Sequence, residues 1–446
     1  MGAVTRAYRR EWIVVILVWA SALSFFHEVG PQDITRLALT ESIVLDGSLR
    51  IDRWQDQTVD KAVYRGHYFS DKAPGMSFLA IPSFVVLRKA GVLREANVGP
   101  GIWKDRSDLW TLRALAGGLG FLALVVLVGR VAEGVEPGTG AITAASVGLG
   151  TLAAPLAATM FGHLVAGALG FAAFVAAWSG LGTATRRDLR FAVAGLCAGL
   201  AVLTEYQTVF IAGAVLVYIA VRTLRGAAFF VAAAVPSAVA LGAYNAAAFD
   251  SPFHLSYRYV SSDFATEQAK GFFGIGVPDL GRLWKVLFDL DGLLPRSPIL
   301  VLAAVGLVLL WRKGIRAEAA LCGVVTLAFL ALNSGYYDIL GGGSPGPRFF
   351  VPALPFLGVG LACSFGRWPR LTLAVAVLSV GLMTYRSGTW FYPDEGRFLT
   401  IWSLLGAPIG AGAAFAVVLA VCAVALGAWN LFAARSVRRT PSARGA

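Results

Sequence analysis

The stretch Ser70-Asp-Lys-Ala-Pro-Gly-Met-Ser-Phe-Leu-Ala-Ile-Pro-Ser-Phe-Val-Val-Leu87 opens on two charges, Asp71 and Lys72. It turns at Pro74-Gly75 and then becomes a continuous apolar run. Apolar residues that neither alternate nor thin out read as a helix in lipid, since every backbone polar group must there be paired within the segment. Lys72 at the lip of such a helix has two readings. It is a snorkelling anchor, or it grips an anion beside the backbone amides that Pro74 and Gly75 hold in place.

The rest of the chain agrees on the solvent. Of 446 residues, 57% are hydrophobic and 14% charged, and the mean hydropathy is +0.69. Soluble domains carry about 25% charged residues, so this chain lacks the polar surface to cover a globule. Apolar segments lie near 12–27, 74–88, 109–129, 138–158, 162–181, 190–204, 207–221, 226–249, 298–311, 317–333, 348–366, 371–386 and 407–433. Judged against the ~20 residues that span a bilayer, the expected fold is all-α, a polytopic transmembrane bundle of about 11–13 helices. Residues 1–366 form the expected core, with loops 28–72 and 250–297. Residues 367–446 form C-terminal helices and a basic cytoplasmic tail.

The net charge of +12 sits in short clusters between apolar runs. They are Arg6/Arg9/Arg10, Arg88/Lys89/Arg94, Arg186/Arg187/Arg190, Arg222/Arg225, Arg312/Lys313/Arg316, Arg367/Arg370 and Arg435/Arg438/Arg439. This is the positive-inside pattern, not a basic face interleaved with aromatics, so no nucleic-acid partner is expected. Two basic termini require an even number of crossings. About thirteen segments are therefore one too many, and the irregularity falls between 74 and 181. The N-terminus resembles a signal peptide, and an uncleaved first helix fits the many spans that follow. Cys197, Cys322, Cys363 and Cys422 lie in or beside apolar helices, without metal-ligand spacing, and read as core residues.

If the first helix leaves the cytoplasm, residues 28–72, 250–297, 334–347 and 387–406 are external. Pro31 suits a helix start and Gly47 its end. The Pro31–Asp46 helix places Asp33, Arg36 and Thr40 on one face and reads as amphipathic at the membrane surface. Further polar residues punctuate the apolar runs: His163 in FGH, Glu205-Tyr206, Tyr244-Asn245, Tyr257, Arg296, and Tyr337 before GGGSPGPR with Arg348. Each has a bland reading as a packing residue or anchor. A carboxylate such as Glu205 between apolar runs is costly unless paired. Glycine-loop amides beside an arginine suit a phosphate.

QDITR with Asp33 and Arg36, DGSLRID, GHYFSDKAPG ending in Lys72, FGH with His163 and GGGSPGPR with Arg348 resemble, in this order, the C-type membrane glycosyltransferase superfamily. The likeness is to its aminoarabinose transferase and protein O-mannosyltransferase relatives, over residues 10–360. The resemblance implies a polytopic enzyme of the bacterial plasma membrane. It would move a sugar from a polyprenyl-phosphate donor to an acceptor hydroxyl on the outer face, with inversion. Partners would be the lipid-linked sugar, membrane lipids and an acceptor glycan, lipid or protein. It implies Asp33 as base and Lys72 at the donor phosphate. The residues themselves add Arg348 and Arg296 as cations for the same phosphate, and Arg36, Asp71, His163, Glu205, Tyr206, Tyr244, Asn245, Tyr257 and Tyr337 as the expected lining of the substrate cavity. Many members carry two adjacent acids where Gln32 precedes Asp33 here, so no divalent metal or other cofactor is expected. The lipid A branch has consecutive prolines after the lysine, where SDKAPG has one; the acceptor stays open. The rival readings are a transporter or flippase, and a non-catalytic binder, of polyprenyl-linked sugars.

Overall fold

The computed structural model describes residues 2–25, 27, 29–93, 108–261, 264–390 and 409–439. Most of loop 387–406, Arg94 and the end of the basic tail lie outside the described residues. The chain is a helical, multi-pass bundle with, among the described residues, one short antiparallel hairpin, Lys61–Tyr64 with His67–Ser70.

Seven of the described helices are long and apolar enough to cross a bilayer, or eight if the Leu280–Arg296 and Ile299–Arg312 pair, bent by 92°, is one broken span. This is fewer than the 11–13 helices expected, and some of the apolar runs fold into shorter helices. Gly75–Lys89 has 15 residues with Pro82 inside it, which at 1.5 Å per residue reaches only about 22 Å. Gly140–Leu149 has 10 residues and gives way to a turn before the Gly162–Leu181 helix. That break falls within the region where the crossing count was irregular.

The spans meet closely where side chains are smallest. A Cβ on Gly195 would collide with the Phe230 backbone, and one on Gly306 with the Gly360 carbonyl. Association in lipid relies on such backbone approach, since burial from water contributes little there. At the other end of the chain, Ser21 donates to the Ala416 carbonyl at 3.0 Å, tying the first helix to the last.

The segment after the first helix is folded inward. Pro31–Asp46 is a helix, closed by Gly47 at φ 58°, the left-handed conformation that glycine adopts at least cost. Its polar face, however, is not solvated: Asp33, Arg36 and Thr40 are all buried. The helix packs that face against the bundle because partners await it there. The hairpin, the segment around Tyr259 and the 336–347 loop close over the same region. Ala62 bridges to Val260, and Ile275 to Tyr336.

Candidate functional site

A cavity of about 330 Å³ opens between these segments, within the size range of small-molecule sites. Its polar lining brings together Arg36, Asp60, Asp71, Lys72, His163, Glu205, Asp338 and Arg348. Tyr206, Tyr257, Tyr336, Tyr337, Phe161 and Phe349 are among the aromatics that face it. Lys72 and Arg348, far apart in sequence, therefore share one chamber.

Among the described residues, the charges of this lining have an ionic or hydrogen-bond partner with one exception. Arg36 donates to Gln32 Oε1 and to Glu205 Oε1, each at 2.5 Å. His163 Nδ1 lies 3.5 Å from the same Glu205 oxygen. Glu205 can be there because the Arg187–Thr204 helix stops at it, and because Gly162 leaves room. A Cβ on Gly162 would fall 2.5 Å from Glu205 Oε1. Lys72 Nζ sits 2.8 Å from Asp71 Oδ2 and 3.3 Å from Asp60 Oδ1. Burial lifts the Asp71 carboxyl to about 6; Lys72 pulls it down and Asp60 adds to the rise. Asp71 Oδ1 is buried without a hydrogen-bond partner.

Arg348 is the exception. It is 8% exposed and lies over the rings of Phe161 and Phe349, each 5.4 Å from its guanidinium carbon. It finds no carboxylate among the described residues, and its Nε has no hydrogen-bond partner. Aromatic faces stabilise a cation only modestly, and a buried charge without a counter-ion is costly. The chamber thus presents an unneutralised cation.

Several expected site residues lie apart from the cavity or are already engaged. Asp33 does not line the cavity. Its Oδ1 accepts from the Met160 amide at 2.5 Å and its Oδ2 from Arg113 at 3.3 Å. Burial raises its carboxyl and Arg113 opposes that rise. Both of its oxygens are thus engaged inside the fold. Arg296 also lies elsewhere, held by Asp291 at 2.8 Å, with Arg386 on the same oxygen. Tyr244 and Asn245 are buried away from the cavity, and Asn245 donates to the Pro252 carbonyl. Finally, the glycine-loop amides are not free. Leu340, Gly341 and Gly342 all donate to the Asp338 carboxylate.

Three residues were missed by sequence reasoning. Arg113 stood in the sequence as a lone charge in an apolar run, the usual mark of a functional or paired residue in lipid. It precedes a π-turn, Ala114–Gly118, that presses against the Thr159 backbone next to the Met160 amide. Asp338 was legible as Asp-Ile-Leu-Gly-Gly, an aspartate placed to bond its own downstream amides. Asp60 gave no local signal, because only the hairpin brings it to Lys72. Among the described residues, no three histidine, cysteine or carboxylate side chains cluster as a metal site.

No family model matches the sequence, and no curated protein matches it. Solved structures do match in shape. ArnT from Cupriavidus metallidurans bound to undecaprenyl phosphate superposes with a TM-score of 0.54 at 15% identity, covering 98% of this chain and 78% of that one. The archaeal oligosaccharyltransferase AglB from Archaeoglobus fulgidus, in complex with an inhibitory peptide and a dolichol-phosphate, gives 0.50 at 12% identity. That match covers 97% of this chain but 56% of AglB, so this chain spans little more than half of AglB. The shared feature is the course of the helices over nearly the whole chain: it has the same fold as these two solved proteins.

Proposed function

We propose that the protein is a glycosyltransferase that takes a sugar from a polyprenyl-phosphate donor and passes it to an acceptor hydroxyl, at the outer face of a bacterial plasma membrane. One observation carries the reading: a buried, unneutralised Arg348 in an aromatic-walled cavity, with Lys72 in the same chamber. The donor's phosphate supplies the missing anion. Two neighbours of the same fold were solved with undecaprenyl phosphate and dolichol-phosphate.

In the reaction the acceptor oxygen attacks the anomeric carbon, and the bond from that carbon to the phosphate oxygen breaks. The electron pair leaves with the polyprenyl phosphate, and the configuration inverts. Negative charge grows on the phosphate as the bond lengthens, so Arg348 and Lys72 stabilise the transition state more than the ground state. The acceptor's proton goes to a carboxylate. Asp71 takes this role in place of Asp33, because it faces the cavity and its Oδ1 has no partner. The tyrosines offer flat surfaces on which a sugar ring can rest. No step requires a metal.

The test is transfer by the purified protein in liposomes from a panel of polyprenyl-phosphate sugars to a mixed acceptor extract. Wild type transfers one of the sugars in the presence of EDTA. Arg348→Ala loses donor binding, and Arg348→Lys, which lacks the planar fork, recovers only part of it. Donor translocation without transfer identifies a flippase and overturns the reading, as does undiminished donor binding by Arg348→Ala.

A further inference from the structure

The 336–347 loop is built like an anion cradle and is already filled. Gly341 and Gly342 take φ values of 79° and 94°, which turn successive backbone amides toward one point, as in phosphate-binding nests. At that point lies the chain's own Asp338. Its Oδ1 accepts from Leu340 at 3.0 Å and Gly341 at 3.3 Å, and its Oδ2 from Gly342 at 2.6 Å. The cradle adjoins Arg348: a Cβ on Gly341 would fall 2.9 Å from Arg348 Nε, the buried nitrogen that has no partner. Asp338, Gly341, Gly342, Gly343 and Arg348 all line the cavity. Three amides hold a carboxylate, while the guanidinium next to them holds none.

We infer that Asp338 is an internal stand-in for the donor phosphate: its carboxylate occupies the loop amides in the empty protein, and the phosphate displaces it on binding. This rests on the reading of the cavity as a polyprenyl-phosphate site. The phosphate brings oxygens enough to take the loop amides and Arg348 together. A carboxylate held by the amides reaches only half of that set. Asp338 is half-buried and Gly342 is exposed, so the side chain has room to turn out. The exchange keeps the amides satisfied in both states and makes donor binding a competition. Its consequence is a sign: removing the carboxylate must tighten anion binding, whereas a residue that only braces the loop would, when removed, loosen it.

The experiment is equilibrium titration of the full-length protein in detergent micelles with undecaprenyl phosphate and, separately, with inorganic phosphate. Wild type, Asp338→Ala, Asp338→Asn and Arg348→Ala are compared. Both Asp338 variants are expected to bind undecaprenyl phosphate more tightly by roughly five-fold or more, the low end of a measurable coupling. A parallel gain for inorganic phosphate assigns the cradle to the phosphate group itself; a gain confined to the lipid assigns it to the phosphate as presented by its chain. Asp338→Asn keeps an oxygen for the amides without the charge, so it reports even if the alanine variant does not fold. Unchanged or weaker binding of undecaprenyl phosphate by a folded Asp338 variant overturns the inference while leaving the site intact. Failure of wild type to bind undecaprenyl phosphate overturns the inference and the reading beneath it.

Discussion

At the scale of single residues, the base is where reading and geometry part. Asp33 and Asp71 are both buried carboxylates, but only Asp71 opens on the cavity with an unused oxygen. Its folded pKa of about 6 lies above the roughly 4 of an exposed aspartate. Between those values the folded protein holds a proton that the unfolded chain releases. This group therefore favours folding most at low pH, and that contribution is lost as pH rises through the window. Catalysis runs the other way, since the base must be ionised. The kcat/KM for the donor, which reports the groups of the empty enzyme, should rise with an apparent pKa near 6. Asp60→Asn should move that limb to lower pH, because Asp60 adds to the rise. A limb that stays put in Asp60→Asn, or an Asp71→Asn enzyme with full activity, would remove Asp71 from the mechanism. The charges of the site were visible in the sequence, since few charged residues interrupt so apolar a chain. Their partners were not. Arg113, Met160 and Asp60 reach Asp33 and Lys72 across 80, 127 and 12 positions, distances over which periodicity carries no information.

At the scale of elements, the Pro31–Asp46 helix was legible end to end, from its proline start to its glycine stop. Which way it faced was not. A stripe of Asp, Arg and Thr fits water or a polar interior equally well, and the choice lies with what the bundle offers. Here the bundle offers Glu205, at the break between the Arg187–Thr204 helix and the next. The Arg36–Glu205 pair is 0% and 2% exposed, so removing one partner strands a buried charge. Arg36→Ala should destabilise the protein by about 3–5 kcal/mol, read as lower thermal unfolding in detergent. Adding Glu205→Gln should restore part of the loss, because the stranded charge goes with it. If the double variant unfolds no later than Arg36→Ala, the pair is not what holds this helix inward.

At the scale of the whole molecule, composition alone pointed to lipid, and the bundle follows it. The number of full spans was the weaker expectation, because an apolar run does not reveal where a helix will stop or bend. The basic clusters set the orientation of the proposal, with the cavity on the outer side. Cysteines introduced singly at Phe272 and at Gly314, in a background without the four native ones, should separate. An impermeant thiol reagent should label the first in intact cells and the second only after lysis; the reverse pattern inverts the proposed orientation. The seat of Arg348 between two phenylalanine rings has a consequence for ionic strength. Dissolved ions shield charges that face water over about 10 Å at 0.1 M salt, and reach enclosed ones far less. Attraction between the surface arginine clusters and acidic headgroups should fade as salt is added. The grip of Arg348 on a lipid phosphate should barely change, so donor affinity measured from 50 to 500 mM NaCl should stay nearly flat.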